Sequence, residues 1–304
     1  MKLRNFLVVF FAVAGSYASF AQSNLLNAKT PEEIGKKTAA QMNADNDKPL
    51  PYGYVHDRDV LMGKTTCEII DLDERVNFPL YFPVDTANIG KERRSLFDVL
   101  LKGIKTGKIT EVYTDEYFNT KKTLKDMAFT FKFVDTTQAG VDEINTYYDD
   151  YKSGKKKLDA QYINVKELGA QDISGYKIKG YWYFDKRQGE LKYRMLGICP
   201  ISPEAKYAGE DNADVIDLFW IYFPSIRDVL HEAKAFNDKN SAMPFTFDHL
   251  LNARRFNGVI YREENVYGDR TIEEYMKDNS QMQLLESERV KEKIRNFEQD
   301  MWNY

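Results

Sequence analysis

Any chemistry in this 304-residue chain has to come from three histidines, two cysteines and 47 carboxylates. His56, His231 and His249 are far apart in sequence. Glu232 follows His231, but Ala235 stands where a zinc-protease helix places its second histidine. Gly103-Ile-Lys-Thr-Gly-Lys108 is one residue short of a phosphate loop, and Ile109 occupies the position of the magnesium-binding hydroxyl. That stretch reads more simply as a helix end, with Gly107 as left-handed cap and Lys105 and Lys108 at the negative end of the dipole. No Gly-x-Ser-x-Gly elbow occurs. Glu263-Glu264, Asp149-Asp150 and Glu273-Glu274 are carboxylate pairs of the kind a glycosidase uses. Adjacent acids in charged surroundings are more often solvated faces, so the sequence predicts no enzyme, cofactor or metal. An exported glycan hydrolase or carbohydrate-binding protein acting on the cell wall is the alternative reading.

Cys67 and Cys199 admit two readings. A bridge would close a long loop and contribute about 4–5 kcal/mol in the chain-entropy model. Two separate buried thiols would serve equally well as small hydrophobes.

The elements that must position these residues begin after a leader. Lys2 and Arg4 precede an apolar run from Leu7 to Val13, and Ser19-Phe20-Ala21 offers small residues at a cleavage site. Residues 1–21 are read as a signal peptide, so the mature chain is expected to be soluble and exported. Its removal takes away two cations and no anions, so the formal charge moves from −4 to −6. That balance argues against nucleic acid, whose binding rests on clustered Lys and Arg. Residues 22–55 are polar and carry Pro31, Pro49, Pro51 and Gly53; they read as an extended arm with one candidate short helix from Pro31 to Met42.

Two stretches about 150 residues apart resemble one another. Phe97, Asp98, Leu100 and Leu101 match Phe247, Asp248, Leu250 and Leu251. Upstream, Ile70-Asp71-Leu72 matches Ile216-Asp217-Leu218, and each repeat continues into a Gly-led apolar run at Gly107 or Gly258. The fold class expected is α+β: two similar lobes of mixed or antiparallel sheet with short helices, an extended N-terminal arm and a long C-terminal helix. The first lobe covers residues 56–134, a linker 135–160, and the second lobe 161–304. Within them the spacing predicts a strand over Thr65–Leu72, an extended segment over Asn77–Pro83, and a helix from Ser95 to Thr106 with Ser95 and Asp98 as a capping pair. A hairpin is expected over 178–198 with its loop at Lys186–Gly189, a strand over 215–222 and a helix over 226–236. The last helix, 281–302, should pack an apolar stripe of Leu284, Val290, Ile294, Phe297 and Met301 on its own domain or on a neighbouring subunit. The 20 tyrosines and 19 phenylalanines suit strand cores and protein interfaces alike. Arg93, Arg94, Arg254 and Arg255 flank the repeated helices and could grip carboxylates on a partner; with Trp302 they are the partner-contact candidates.

Several segments together resemble a known family. They are Glu68-Ile-Ile-Asp-Leu-Asp-Glu-Arg-Val-Asn-Phe-Pro-Leu-Tyr-Phe-Pro83, Arg94-Ser-Leu-Phe-Asp-Val-Leu-Leu-Lys-Gly-Ile104, and Leu218-Phe-Trp-Ile-Tyr-Phe-Pro224 with Phe247-Asp-His-Leu-Leu-Asn-Ala-Arg-Arg-Phe256. Ile260-Tyr-Arg-Glu-Glu-Asn-Val-Tyr-Gly-Asp-Arg270 and Asp300-Met-Trp302 complete the set. The pattern resembles the GldN (PorN) family of the type IX secretion and gliding apparatus of Bacteroidetes. The resemblance implies a periplasmic ring component held to the outer membrane by a lipoprotein of the GldK/PorK type and engaged by the periplasmic part of a GldM/PorM motor. It carries no catalytic residues, no nucleic-acid partner and no direct membrane insertion.

Overall fold

The computed structural model describes residue 30 and residues 48–86, 93–209, 213–237, 245–277 and 279–302. The expected signal peptide, the helix expected over 31–42 and most of the arm lie outside the described residues.

The sequence builds its sheet from long strands whose alternation buries one face. β1 (Val60–Asp71), β4 (Gly175–Asp185) and β5 (Glu190–Pro203) run antiparallel side by side, with β10 (Val259–Glu263) beyond β1 and the short β6 (Val215–Asp217) and β7 (Ile221–Tyr222) beyond β5. Lys186–Gly189 turns the β4–β5 hairpin as expected, and Gly189 takes φ 67, where a side chain would be strained. The strand expected over 215–222 is broken into β6 and β7. Cross-strand partners fix the faces: Ile70 pairs Tyr176, Glu68 pairs Ile178, and Ile178 pairs Ile198. These apolar residues join one buried cluster with helices α2 (Leu96–Lys105), α6 (Phe223–Glu232) and α7 (Phe247–Asn252). Thr66 lies opposite Gly180, and the Tyr193 ring occupies the space a Cβ there would fill, its hydroxyl only 2.0 Å from that position.

The α+β class, the antiparallel sheet and the long C-terminal helix follow the expectation. The sheet itself runs across the expected lobe boundary, because β1 of the first span lies between β10 and β4 of the second. α3 (Leu124–Phe131) leads into β2 (Lys132–Thr136), and residues 135–160 carry α4 (Gln138–Thr146) and α5 (Tyr148–Lys152), enclosed by the ribbon of β2 and β3 (Ile163–Glu167). The segment read as extended over 77–83 instead holds the one-turn helix α1 (Phe78–Tyr81), with Pro79 in its first turn, where a missing N–H costs nothing. Asn77 anchors it, donating to Asp71 O at 2.6 Å and accepting from the Asn257 amide at 2.9 Å.

The repeat holds at the helices and upstream, where Asp71 and Asp217 each end a strand of the sheet before a buried leucine, and fails after the helices. Ser95 caps α2 by accepting from the Asp98 amide, and Thr246 caps α7 by accepting from His249. Asp98 is therefore the third residue of its helix and Asp248 the second of its own. After α7 comes strand β10; after α2 the chain crosses the other face of the sheet as a loop through residues 109–122. There Tyr113 exchanges backbone hydrogen bonds with Trp220, at 2.8 Å each way, and packs with Cys199 and Phe118.

The C-terminal helix α9 (Ser280–Trp302) packs on its own sheet after a short capped turn, α8 (Ile272–Tyr275). Val290 and Ile294 meet Ile260, Met62, Trp182 and Leu191, and Phe297 meets Phe184 edge-on at 6.0 Å. Leu284 does not lead this stripe. It is 52 % exposed, whereas Glu286 and Ser287 are buried, the Ser287 hydroxyl accepting from the Ile260 amide at 2.8 Å. A polar bond to β10 sets the phase of the first turns, overriding the hydrophobic count.

Candidate interaction surfaces

Where α6 meets α7, Arg227 and Asp248 form a buried two-bond pair, at 2.8 and 3.0 Å. Asn252, one turn after Asp248, donates its side-chain amide to the Asp248 carboxylate at 2.8 Å and to its carbonyl at 2.9 Å. That fixes the Asn252 amide so that its oxygen faces outward, where it accepts from the Tyr52 hydroxyl at 2.8 Å. The Arg227 and Arg194 guanidinium carbons lie 4.2 and 4.7 Å from the Tyr52 ring centroid. Arg194 also donates to Gly53 O at 3.0 Å. The result is a preformed seat for one aromatic side chain, with two cations to stack on it and one acceptor for its hydroxyl. Burial raises the Tyr52 pKa, and the nearby arginines oppose that rise. Sequence reasoning missed this site. Its signal was present as Asp248 and Asn252 at helical i, i+4 spacing and as a lone aromatic in Pro51-Tyr52-Gly53.

The arginine candidates divide. Arg254 turns inward: it pairs with Glu68 at 2.7 Å and lies 4.2 Å from the Tyr193 ring centroid and 5.0 Å from that of Trp182. It occupies the junction between the cluster under α2, α6 and α7 and the cluster under α9. Its backbone has φ 50, which a non-glycine residue adopts only where surroundings enforce it. Arg255 is exposed and stacks on Phe245 at 4.5 Å; Arg93 is exposed and stacks on Phe236 at 4.0 Å. Both flank the small ribbon of β8 (Lys234–Ala235) and β9 (Phe245–Thr246). Arg94 is half-buried and donates to the Arg93 carbonyl at 2.6 Å. Trp302 is the last residue of α9, and its side chain lies outside the described residues.

The two thiols are free and are not a bridge. Cys67 lies on β1 and Cys199 on β5, with β4 between them, so their Cα atoms are about 10 Å apart from strand spacing alone. A disulfide needs less than ~7 Å. Burial pushes both thiols up, Cys199 furthest, so both are protonated and unreactive at neutral pH. Arg262 donates to the Cys67 sulfur at 3.2 Å and pairs with Glu116 from the crossing loop.

The carboxylate pairs are structural or solvated. Glu263 pairs with Lys64 at 2.5 Å, Glu274 closes the capping box of α8 with Thr271, and Asp149 and Asp150 are exposed. His56 and His249 contact Tyr54 and Phe245 rings, at 5.4 and 5.8 Å. Among the described residues no group of three metal-ligating side chains converges, and no helix is long and apolar enough to cross a membrane.

No curated protein matches the chain. The family model described as "Gliding motility associated protein GldN" matches residues 55–303, which takes in the sheet, the repeated helices, the crossing loop and α9. A match over that span establishes the family: this chain belongs to the GldN gliding-motility-associated proteins and is a component of the gliding-motility and type IX secretion apparatus.

Proposed function

We propose that the protein is a periplasmic structural ring subunit of that apparatus. It works by presenting surfaces, binding an outer-membrane lipoprotein of the GldK/PorK type and the periplasmic part of a GldM/PorM motor, and it catalyses no reaction. The family match over residues 55–303 carries this reading. Among the described residues Tyr52 and Gly53 are held by side-chain contacts, to Asn252 and from Arg194. The arm expected over residues 22–55 would add avidity to a contact made by the folded body, as a tethered segment raises effective concentration. Export by residues 1–21 and localisation at the inner face of the outer membrane belong to the same proposal.

A ring needs a contact between unlike surfaces repeated with a closing rotation, and separate surfaces for its lipoprotein and motor. The exposed Arg93–Phe236 and Arg255–Phe245 stacks suit such contacts, since arginine and aromatic side chains dominate interface energetics. Co-purification with the lipoprotein tests the proposal. Full retention is expected for the intact mature chain and weaker retention after deletion of residues 22–47. Absence of retention for the intact chain would refute it.

A further inference from the structure

Helices α2 and α6 meet where Gly103 lacks a side chain, since the position a Cβ would take there lies 3.3 Å from Val229 Cγ1. Beside this meeting point opens a cavity of about 490 Å³. Ligand sites run from roughly 300 to 1,000 Å³, so this one has room for more than a single ion. Its apolar lining is Val99, Leu101, Val229 and Ala233, all buried or half-buried. Lys102, Lys105 and Lys108 stand exposed around them. Arg94, ahead of α2, and Lys234, on β8, bring the cationic lining residues to five, against two carboxylates, Asp98 and Glu232. The whole chain carries 43 basic and 47 acidic residues, so the excess of cations is local to the groove.

Part of that excess has a simpler use. Lys102 and Lys105 lie in the last turn of α2, at the negative end of its dipole. Arg94 precedes that helix and Lys234 follows α6, so the dipole of α2 does not account for either. Lys108 pairs with Glu232, but no ion pair between described residues uses Lys102, Lys105 or Lys234. The groove therefore combines a recessed apolar lining with cations that the described part of the fold leaves unmatched.

That combination complements a segment bearing carboxylates beside apolar side chains. Asp98 and Glu232 in the same lining oppose a dense polyanion and suit the spaced charges of a peptide. Lysine presents a point charge on a flexible stem, which meets single carboxylates at variable positions. We propose that the groove between α2 and α6 docks an acidic, partly apolar peptide segment of another protein. Apolar side chains of the segment would seat against Val99, Val229 and Ala233, and its carboxylates on Lys102, Lys105 and Lys234. This goes beyond the ring reading and does not depend on it, because the groove lies within one copy of the chain. Binding through such charges should weaken as salt rises.

The test selects peptides from a random-peptide phage library on the folded mature chain and measures the selected peptides by fluorescence anisotropy. Peptides that place Asp or Glu beside Leu, Val or Ile should be enriched. Their affinity should fall about tenfold for Lys102→Glu with Lys234→Glu. It should be unchanged for Lys155→Glu with Lys157→Glu, an equal change of charge at exposed residues outside the groove lining. Melting temperatures check that both variants fold, and Lys102→Gln alone, at an exposed position, should give a smaller fall in the same direction. Selected peptides without acidic bias, or an equal loss in both double variants, would overturn the proposal. Displacement of the peptides by inorganic phosphate, or lysine-dependent binding of phosphatidylglycerol vesicles in their place, would overturn it in favour of a phosphate site. A dimer of the chain itself that disappears on reversing Lys102 and Lys234 would overturn it in favour of a second copy. Each of these failures would leave the ring reading standing.

Discussion

Arg254 and Glu68, 186 residues apart in sequence, meet at 2.7 Å beneath the sheet, with the Glu68 side chain 1 % exposed. They join the end of α7 to the middle of β1, between two apolar clusters. Removing one member of a buried pair strands the other charge. Glu68→Gln is expected to lower unfolding free energy by about 3 kcal/mol in urea titration. The double variant Glu68→Leu with Arg254→Met should cost less than the sum of the single changes. Strict additivity would show that the two residues do not act as a pair.

Tyr52 should govern whether the arm stays docked. Tyr52→Ala removes two ring–cation contacts, worth about 0.5–1 kcal/mol each at partly exposed sites, and should speed proteolytic cleavage near residue 50 while leaving the core intact. Asp248→Ala should have the same effect on the arm and also destabilise the core, because Arg227 loses its partner.

The same residue gives the docked arm a pH limit. Burial raises the Tyr52 pKa above its ordinary 10.0, so the seat favours the neutral phenol. Below pH ~10 the free arm is neutral too, and the stabilisation is fully present. As pH rises further only the released arm ionises, and docking is lost. Proteolysis near residue 50 should accelerate above pH 10 in the wild type, and that step should be missing in Tyr52→Phe.

The thiols make a direct check on the sheet order. Neither Cys67 nor Cys199 should react with a thiol reagent in the native protein at pH 8, both should react in denaturant, and reduction should not change mobility on a gel. A single reactive thiol, or a mobility shift on reduction, would contradict the strand placement.

The phase of α9 separates two otherwise similar substitutions. Ile294→Ala opens a cavity at a residue 4 % exposed and should cost about 2–4 kcal/mol. Leu284→Ala, at a residue 52 % exposed, should change the melting temperature little.

These residues also show how much was legible in the sequence. The α2 helix, its Ser95 cap, the β4–β5 hairpin and the extent of α9 follow from local periodicity and turn chemistry, and all are present. The repeated Phe-Asp-x-Leu-Leu segments do form two helices packed in one core, but Asp98 and Asp248 differ in position and task. Asp98 is half-buried beside its cap, whereas Asp248 holds Arg227 and Asn252. Such differences depend on partners distant in sequence, which periodicity does not encode. The inward turn of Arg254 likewise depends on Glu68, and the placement of Leu284 depends on a Ser287 bond to β10. The Tyr52 seat combines residues from the arm, β5, α6 and α7, and no local pattern joins them.

Electron microscopy of the assembly extracted from cell envelopes tests the central claim most directly. The account predicts ring-shaped particles containing many copies of this chain together with its lipoprotein. A chain recovered as a free monomer with no lipoprotein attached, from envelopes in which secretion is active, would contradict it.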